Sequence, residues 1–297
     1  MVLDILMPYY GRFDHLVTAV NSVMAQSSPS WRLVVVDDVY PDTAPGEWVA
    51  ALDDPRVSYI RNPENLGVSH NYRRCVELMS SEFAVLMGCD DIMRPRFVER
   101  VCEIIELFPT ASIIQPGVEV VNGDDEPHIP LADRVKRMYR PRGTGAREYS
   151  GPRLATSLLR ANWTYFPSIA WRVETIREIG FRLDLNVVQD LAMLIEITKM
   201  GGILVLDDEI VFDYRRHATS VSSVTGSDGS KFRQERILFD EASRDLDALG
   251  WHGAARAARA HLTSRFNALT ELPGAIARRD TASSRSIATH VLGGVWG

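Results

Sequence analysis

Cysteine is scarce in this 297-residue chain, which has three: Cys75, Cys89 and Cys102. Their number is odd and no two stand in a C-x-x-C pair. That argues against both a zinc site and a disulfide framework, and it fits a reducing compartment. Positive charge is also short. The formal net charge of −6 argues against nucleic acid as the main partner. No apolar run approaches the ~20 residues that a membrane span requires. The N-terminus has neither a basic stretch nor a signal-type apolar core, because Asp4 and Pro8 interrupt it. No G-x-G-x-x-G follows the first strand-like segment and no G-x-x-x-x-G-K-[ST] occurs, so neither that dinucleotide fingerprint nor a P-loop is supported. What is present is ordinary globular composition, 45% apolar and 24% charged. The length suits one large domain, or one domain with a helical appendage.

The most informative stretch is Phe83 to Pro95, FAVLMGCDDIMRP. Its charge-free opening reads as a strand buried on both faces. It ends in Gly88 and then two adjacent acids, Asp90 and Asp91. Oxygen ligands of this kind suit Mg²⁺ or Mn²⁺, which usually sit between carboxylates and substrate phosphates. The same acids also suit a turn or the cap of the helix expected near Pro95. A second apolar segment, Trp31 to Val36, ends likewise in Asp37-Asp38.

Between and around these runs, helical spacing recurs at Phe13 to Gln26, Trp48 to Leu52, Ser69 to Met79 and Phe97 to Phe108. Strand-like segments fall at Val2 to Met7, Val57 to Ile60 and Ser112 to Gln115. Strand and helix alternate at intervals typical of βαβ units. The expectation is an α/β fold with a mostly parallel central sheet and helices on both faces. Both acid pairs then lie at one edge of that sheet, where ligands of open α/β folds bind.

Residues 122–152 are polar and rich in Gly, Pro and Arg, and read as a long excursion, a binding loop or disorder. Trp163 to Trp171 is aromatic-dense, either core or a wall for an acceptor ring. Gln189-Asp190 opens a helix running to Met200, and capping alone would explain an acid there. Ile203 to Leu206 and Val211 to Tyr214 read as two short strands. They lead to Arg215-Arg216-His217 among hydroxyl residues, a run suited to gripping a diphosphate or a metal. Phe232 to Leu249 and Ala254 to Leu269 are amphipathic. From Gly253 onward six arginines face only Glu271 and Asp280, a local net of +4. Such a tail is a solvated appendage, a peripheral membrane contact or a homodimer surface.

Taken together these motifs resemble family 2 of the inverting GT-A glycosyltransferases of bacteria, over roughly the first 220 residues. The resemblance implies a GT-A catalytic domain over 1–222, with a nucleotide-binding half (1–120) and an acceptor-side half (121–222), and a helical extension over 223–297. Pro8, Tyr10 and Arg12 then belong to the first nucleotide-binding loop. Asp38 pairs with the uracil imide, and Asn65, Gly67 and Asn71 lie near the donor. Asp91, with Asp90, takes the metal-binding position, although Gly88 stands where the family commonly has a further acid. Asp190 is the general base, with Gln189 where an acid is usual. Arg215 and Arg216 close over the diphosphate, and His217 touches metal or phosphate.

The implied activity is transfer of a hexosyl-type sugar from a UDP-sugar, or a dTDP-sugar, to a hydroxyl acceptor with inversion and with Mn²⁺ or Mg²⁺. Saccharide, lipid-linked and small-molecule acceptors all fit, and polysaccharide assembly in the cytoplasm or on the inner membrane face is the expected setting. Two alternatives remain open. One is a weak or inactive nucleotide-sugar or glycan-binding protein of the same fold. The other is a nucleotidyltransferase, for which the loop after the first strand offers only Arg12.

Overall fold

The computed structural model describes residues 1–216 and 229–293. Its first half follows the expected alternation. β1 (Leu3–Tyr9), α1 (Phe13–Met24), β2 (Trp31–Asp37), α2 (Ala44–Ala50), β3 (Val57–Arg61), α3 (Val68–Leu78) and β4 (Phe83–Leu86) come in order. Then follow β5 (Ile92–Met93), α4 (Phe97–Leu107), β6 (Ala111–Val121), α5 (Leu131–Tyr139), β7 (Arg147–Tyr149) and α6 (Gly151–Arg160). After these come β8 (Ala170–Arg172), α7 (Val173–Ile179), α8 (Gln189–Lys199) and β9 (Ile203–Arg215). Four helices close the described chain: α9 (Ser230–Ala248), α10 (His252–Ala260), α11 (Leu262–Ala277) and α12 (Thr281–Leu292).

The strands form one mixed sheet in the order β3-β2-β1-β4-β8-β6-β9-β5, with β7 also paired to β9. The β3, β2, β1 and β4 pairings are parallel, as is β6 with β9, and the short β8 joins β4 to β6 by two antiparallel pairings. Successive residues of a strand point to opposite faces. Accordingly Ile5 and Met7 of β1 pack with Val20 of α1 and Val98 of α4, while Leu6 packs with Cys75 of α3 and with α6 and α8. That two-sided burial is what a run without charge at Phe83 to Leu86 implied, and all four of those residues are buried.

Several boundaries differ from the sequence expectation. The polar excursion at 122–152 contains α5 and β7. The two strands expected at 203–214 are one, because the acidic run between them stays extended: Asp207 is buried under a two-point ion pair with Arg100, at 2.9 Å for each contact. The helix expected over Ala254 to Leu269 breaks at His261, whose φ is 27°. Helices α9 and α10 share the main core through Leu238, Phe239, Ala254 and Ala258, whereas α11 and α12 close a small cluster of their own around Phe232.

Candidate active site

β1 to β4 release their C-termini at one edge of the sheet. β6 and β9 end there too, because two antiparallel steps through β8 restore the direction. Topology thus brings Tyr9-Tyr10, Asp37-Asp38, Gly88 to Asp91 and Arg215-Arg216 to a common edge.

At the β1–β2 end, four tyrosines stand close together. Tyr10 is exposed and meets the Tyr40 ring edge-on at 5.9 Å, and Tyr40 also contacts buried Tyr9. Asp37 is buried and accepts from Tyr59 Oη (2.7 Å), Arg61 (2.7 Å) and the Tyr40 amide (2.8 Å). Pro8 is half-buried, level with Val36 of β2, and Arg12 is exposed and ion-paired to Asp14.

Asp38, expected to read the base, has an occupied carboxylate. Asn62 Nδ2 (2.9 Å) and the Leu66 amide (2.8 Å) donate to one oxygen, and the Gly67 amide (2.8 Å) donates to the other. Asn65 Nδ2 donates to the Asp38 carbonyl at 2.8 Å. Gly67 begins α3 with φ 75°, a conformation glycine adopts without strain, and this turns its N–H toward Asp38. Asn71 is buried and clips the same turn, accepting from Asn62 (3.0 Å) and donating to the Val36 carbonyl (3.2 Å). Asp38, Asn65, Gly67 and Asn71 are therefore brought together as one loop anchor.

At the β4 end, Asp91 is 1% exposed and its carboxylate accepts the Arg215 amide at 2.9 Å. Burial, and then the charge of Asp90, raise its carboxyl well above the usual range. A Cβ at position 88 would stand 2.5 Å from an Asp91 oxygen and 2.7 Å from an Asp90 oxygen. Gly88 is thus the cradle into which both carboxylates fold, and a third acid there would collide with them. Among the described residues no three His, Cys, Asp or Glu side chains converge as a full metal cage. Two neighbouring carboxylates, Asp91 buried and Asp90 half-buried, nevertheless fit a hard cation that takes few protein oxygens and fills its shell from water and phosphate.

The excursion at 122–139 supplies groups that sequence reasoning passed over. The Arg215 guanidinium is held by Asp125, and Arg216 by buried Asp133 of α5 at 3.1 and 3.2 Å. Tyr165 Oη also donates to Asp133, at 3.0 Å. Lys136 of α5 donates to the Thr164 carbonyl at 2.7 Å, and burial, reinforced by Arg216, pushes its amine down to about 8. The signal for α5 was present as Leu131, Val135 and Met138 at helical spacing just after Pro130.

Asp190 is the second residue of α8. Asn162 Nδ2 donates to one of its oxygens at 2.7 Å, and Thr164 Oγ1 donates to Asn162 Oδ1 at 2.7 Å. Gln189 beside it is buried, and its Oε1 has no partner among the described residues. The three regions are linked. Ser69 at the start of α3 contacts Asn186, just before α8, at 2.6 Å, and Lys136 feels the charges of both Arg216 and Asp190. The segments that carry Asp38, Asp91 and Asp190 are thus linked through intervening side chains. His217 lies outside the described residues.

The chain matches the pattern of Glycosyl transferase family 2 over residues 4–158, more than half its length. It is 30% identical over 95 residues to a putative colanic acid biosynthesis glycosyl transferase, WcaA, of Escherichia coli, an alignment covering 32% of this chain and 34% of that one. It is 32% identical over 115 residues to the succinoglycan biosynthesis protein ExoO of Rhizobium meliloti, covering 39% and 32% respectively. The chain thus spans about a third of the length of these two curated relatives. In fold it is similar to S. aureus TarS 1-349 solved with UDP-GlcNAc, at TM-score 0.66 and 13% identity over 99% of this chain and 92% of that one. The GT-A architecture expected from the motifs is the one the sheet adopts, and with the family pattern running from Asp4 through both acid pairs to Leu158, the chain belongs to glycosyl transferase family 2.

Proposed function

We propose that this protein moves a sugar from a nucleoside diphosphate-sugar to a hydroxyl acceptor with inversion at the anomeric carbon, and that Asp190 is the general base. One observation carries the reading. Asp190 stands at a helix start with one oxygen tied to Asn162, and Lys136 feels both its charge and that of Arg216, the neighbour of the Arg215 whose amide donates to Asp91. A carboxylate fixed through one oxygen keeps the other for the acceptor proton.

The remaining residues take roles that follow from their places. Tyr10 and Tyr40 with Pro8 offer a wall for the base, and the loop held by Asp38 lines the donor side. Arg215 and Arg216 bring positive charge to the corner of the diphosphate, screened in the free protein by Asp125 and Asp133. Asp90 and Asp91 would hold Mn²⁺ or Mg²⁺. A divalent ion bound there supplies charge compensation for the departing diphosphate. A UDP-sugar is the favoured donor, since TarS, of the same fold, was solved with UDP-GlcNAc and with UDP. The named relatives favour an acceptor in bacterial polysaccharide assembly.

The test is nucleoside diphosphate release from a panel of UDP- and dTDP-sugars, with the product anomer read by NMR. For the productive donor, Asp190→Asn lowers turnover by about 10²–10⁴-fold while leaving donor affinity near that of the unaltered chain. Near-normal turnover in Asp190→Asn overturns the assignment of the base.

A further inference from the structure

Helix α11 is built the wrong way round for a helix that ends at the protein's own core. Its buried side carries the small Ala268 and Ala275, with Leu272 partly buried beside them. Four of its large apolar residues are exposed: Leu262 (69%), Phe266 (52%), Leu269 (50%) and Ile276 (60%). They recur at four, seven and fourteen residues from Leu262, so they form one stripe along the helix. Glu271, the acid within α11, lies five residues from both Phe266 and Ile276, well round the helix from that stripe.

The stripe continues onto neighbouring elements. Thr263 Oγ1 donates to the Arg160 carbonyl at 2.6 Å, joining the start of α11 to the end of α6. Arg160 and Arg153 of α6 line an open groove of about 380 Å³ that ends at Tyr139 of α5. Among the described residues neither guanidinium has a hydrogen-bond or ion-pair partner. Beyond the groove, α5 turns Leu131 (57%) and Met138 (64%) outward, while its Asp133 and Lys136 face the site.

We propose that this α5–α6–α11 face docks on an anionic lipid surface. The charge decides the occupant. Arg153 and Arg160 are exposed beside the stripe, and the groove they line holds no acid. A second copy offering the same acid-free groove gives those guanidiniums no counter-charge, whereas lipid phosphates match them while the apolar stripe enters the interface. Among the described residues no helix is long and apolar enough to cross a membrane, so the contact is peripheral. One consequence rests on the transferase reading: a docked face beside α5 presents Asp190 to an acceptor held at the bilayer.

The experiment is vesicle flotation of the full chain, with phosphatidylcholine alone or with phosphatidylglycerol, at rising salt. The unaltered chain binds the anionic vesicles, and salt weakens the binding. Arg153→Gln with Arg160→Gln weakens it about 25-fold, at about fivefold per basic residue. Phe266→Ser with Leu269→Ser weakens it at least about tenfold. Both pairs keep the thermal midpoint and the nucleotide release of the parent, which separates failure here from failure of the transferase reading. Equal floating with both vesicle types, no floating, or no response to either pair of substitutions overturns the proposal. So does a dimer in ultracentrifugation that Phe266→Ser with Leu269→Ser dissociates, because the stripe then belongs to a second copy.

Discussion

Two buried aspartates sit at opposite ends of the same sheet, and their surroundings differ in kind. Asp4, at the start of β1, is fully buried and surrounded by donors. Arg32 reaches it through two nitrogens at 2.9 and 2.8 Å, and the Ser80 amide, the Ser81 amide (3.0 Å) and Ser81 Oγ (2.8 Å) complete the set. Burial alone would raise its carboxyl, but Arg32 and the two serines outweigh that and hold it below the usual range. Asp91, just beyond β4, is equally buried, with a single amide donor among the described residues and another acid beside it, and its carboxyl is raised. A buried charge with a complete set of partners is architecture. A buried charge short of partners, next to a second one, is arranged for something positive to arrive.

That contrast is broken or sharpened by substitution. Asp4→Ala removes an acceptor from several donors at once and costs about 3 kcal/mol of stability, read from urea midpoints, while turnover per folded molecule is unchanged. The sign of its pH dependence is set by the lowered folded value. The stabilisation is complete above the unfolded carboxyl's range, near 3.9, and is lost as pH falls through the lower folded value. Asp4→Asn should therefore flatten the acid limb of the stability curve. Asp91→Asn should do the opposite in both assays. It removes a poorly compensated charge, so the thermal midpoint of the cation-free protein holds or rises, while donor turnover drops about 10²-fold. A midpoint that falls in Asp91→Asn as it does in Asp4→Ala would make both acids structural and erase the distinction.

Some of this was legible before folding was considered. Charge-free runs that stop at adjacent acids, spaced by helical segments, predict that Asp37-Asp38 and Asp90-Asp91 share an edge, and β1 to β4 bear that out. Asp190 was placed at a helix start, and α8 begins one residue before it. Other parts were hidden for identifiable reasons. Helix α5 is flanked by Gly, Pro and charge, and its Asp133 finds partners only far along the chain, in Tyr165 and in Arg216, 32 and 83 residues later. Asn162 is one amide among many until the chain brings it to Asp190, 28 residues on. The donors that hold Asp38, the Asn62 side chain and the backbone amides of 66 and 67, lie more than 20 residues on, and no local side-chain pattern reveals them. The exposed stripe on α11 looked like an ordinary amphipathic face, since sequence spacing does not say which side the core takes.

The smallest expected effect bears on Gly88, where this chain departs from its family's commoner acid. If the two carboxylates fold into the space a side chain would fill, then Gly88→Ala forces a methyl to within 2.7 Å of both. Neither oxygen belongs to a long flexible side chain, and Asp91 is further tied to the Arg215 amide. The acids must separate. Strand β4 itself ends at Leu86, so the fold survives and the thermal midpoint moves little. Donor affinity in the presence of Mn²⁺, measured by calorimetry, should weaken about tenfold, the scale of a loss in ligand-supporting contacts. Affinity measured with the ion withheld should be unchanged. A Gly88→Ala protein with parental affinity under both conditions would mean that the acids do not act as a pair. Asp91 would then be a strained relative of Asp4, and the contrast between the two ends of the sheet would carry no function.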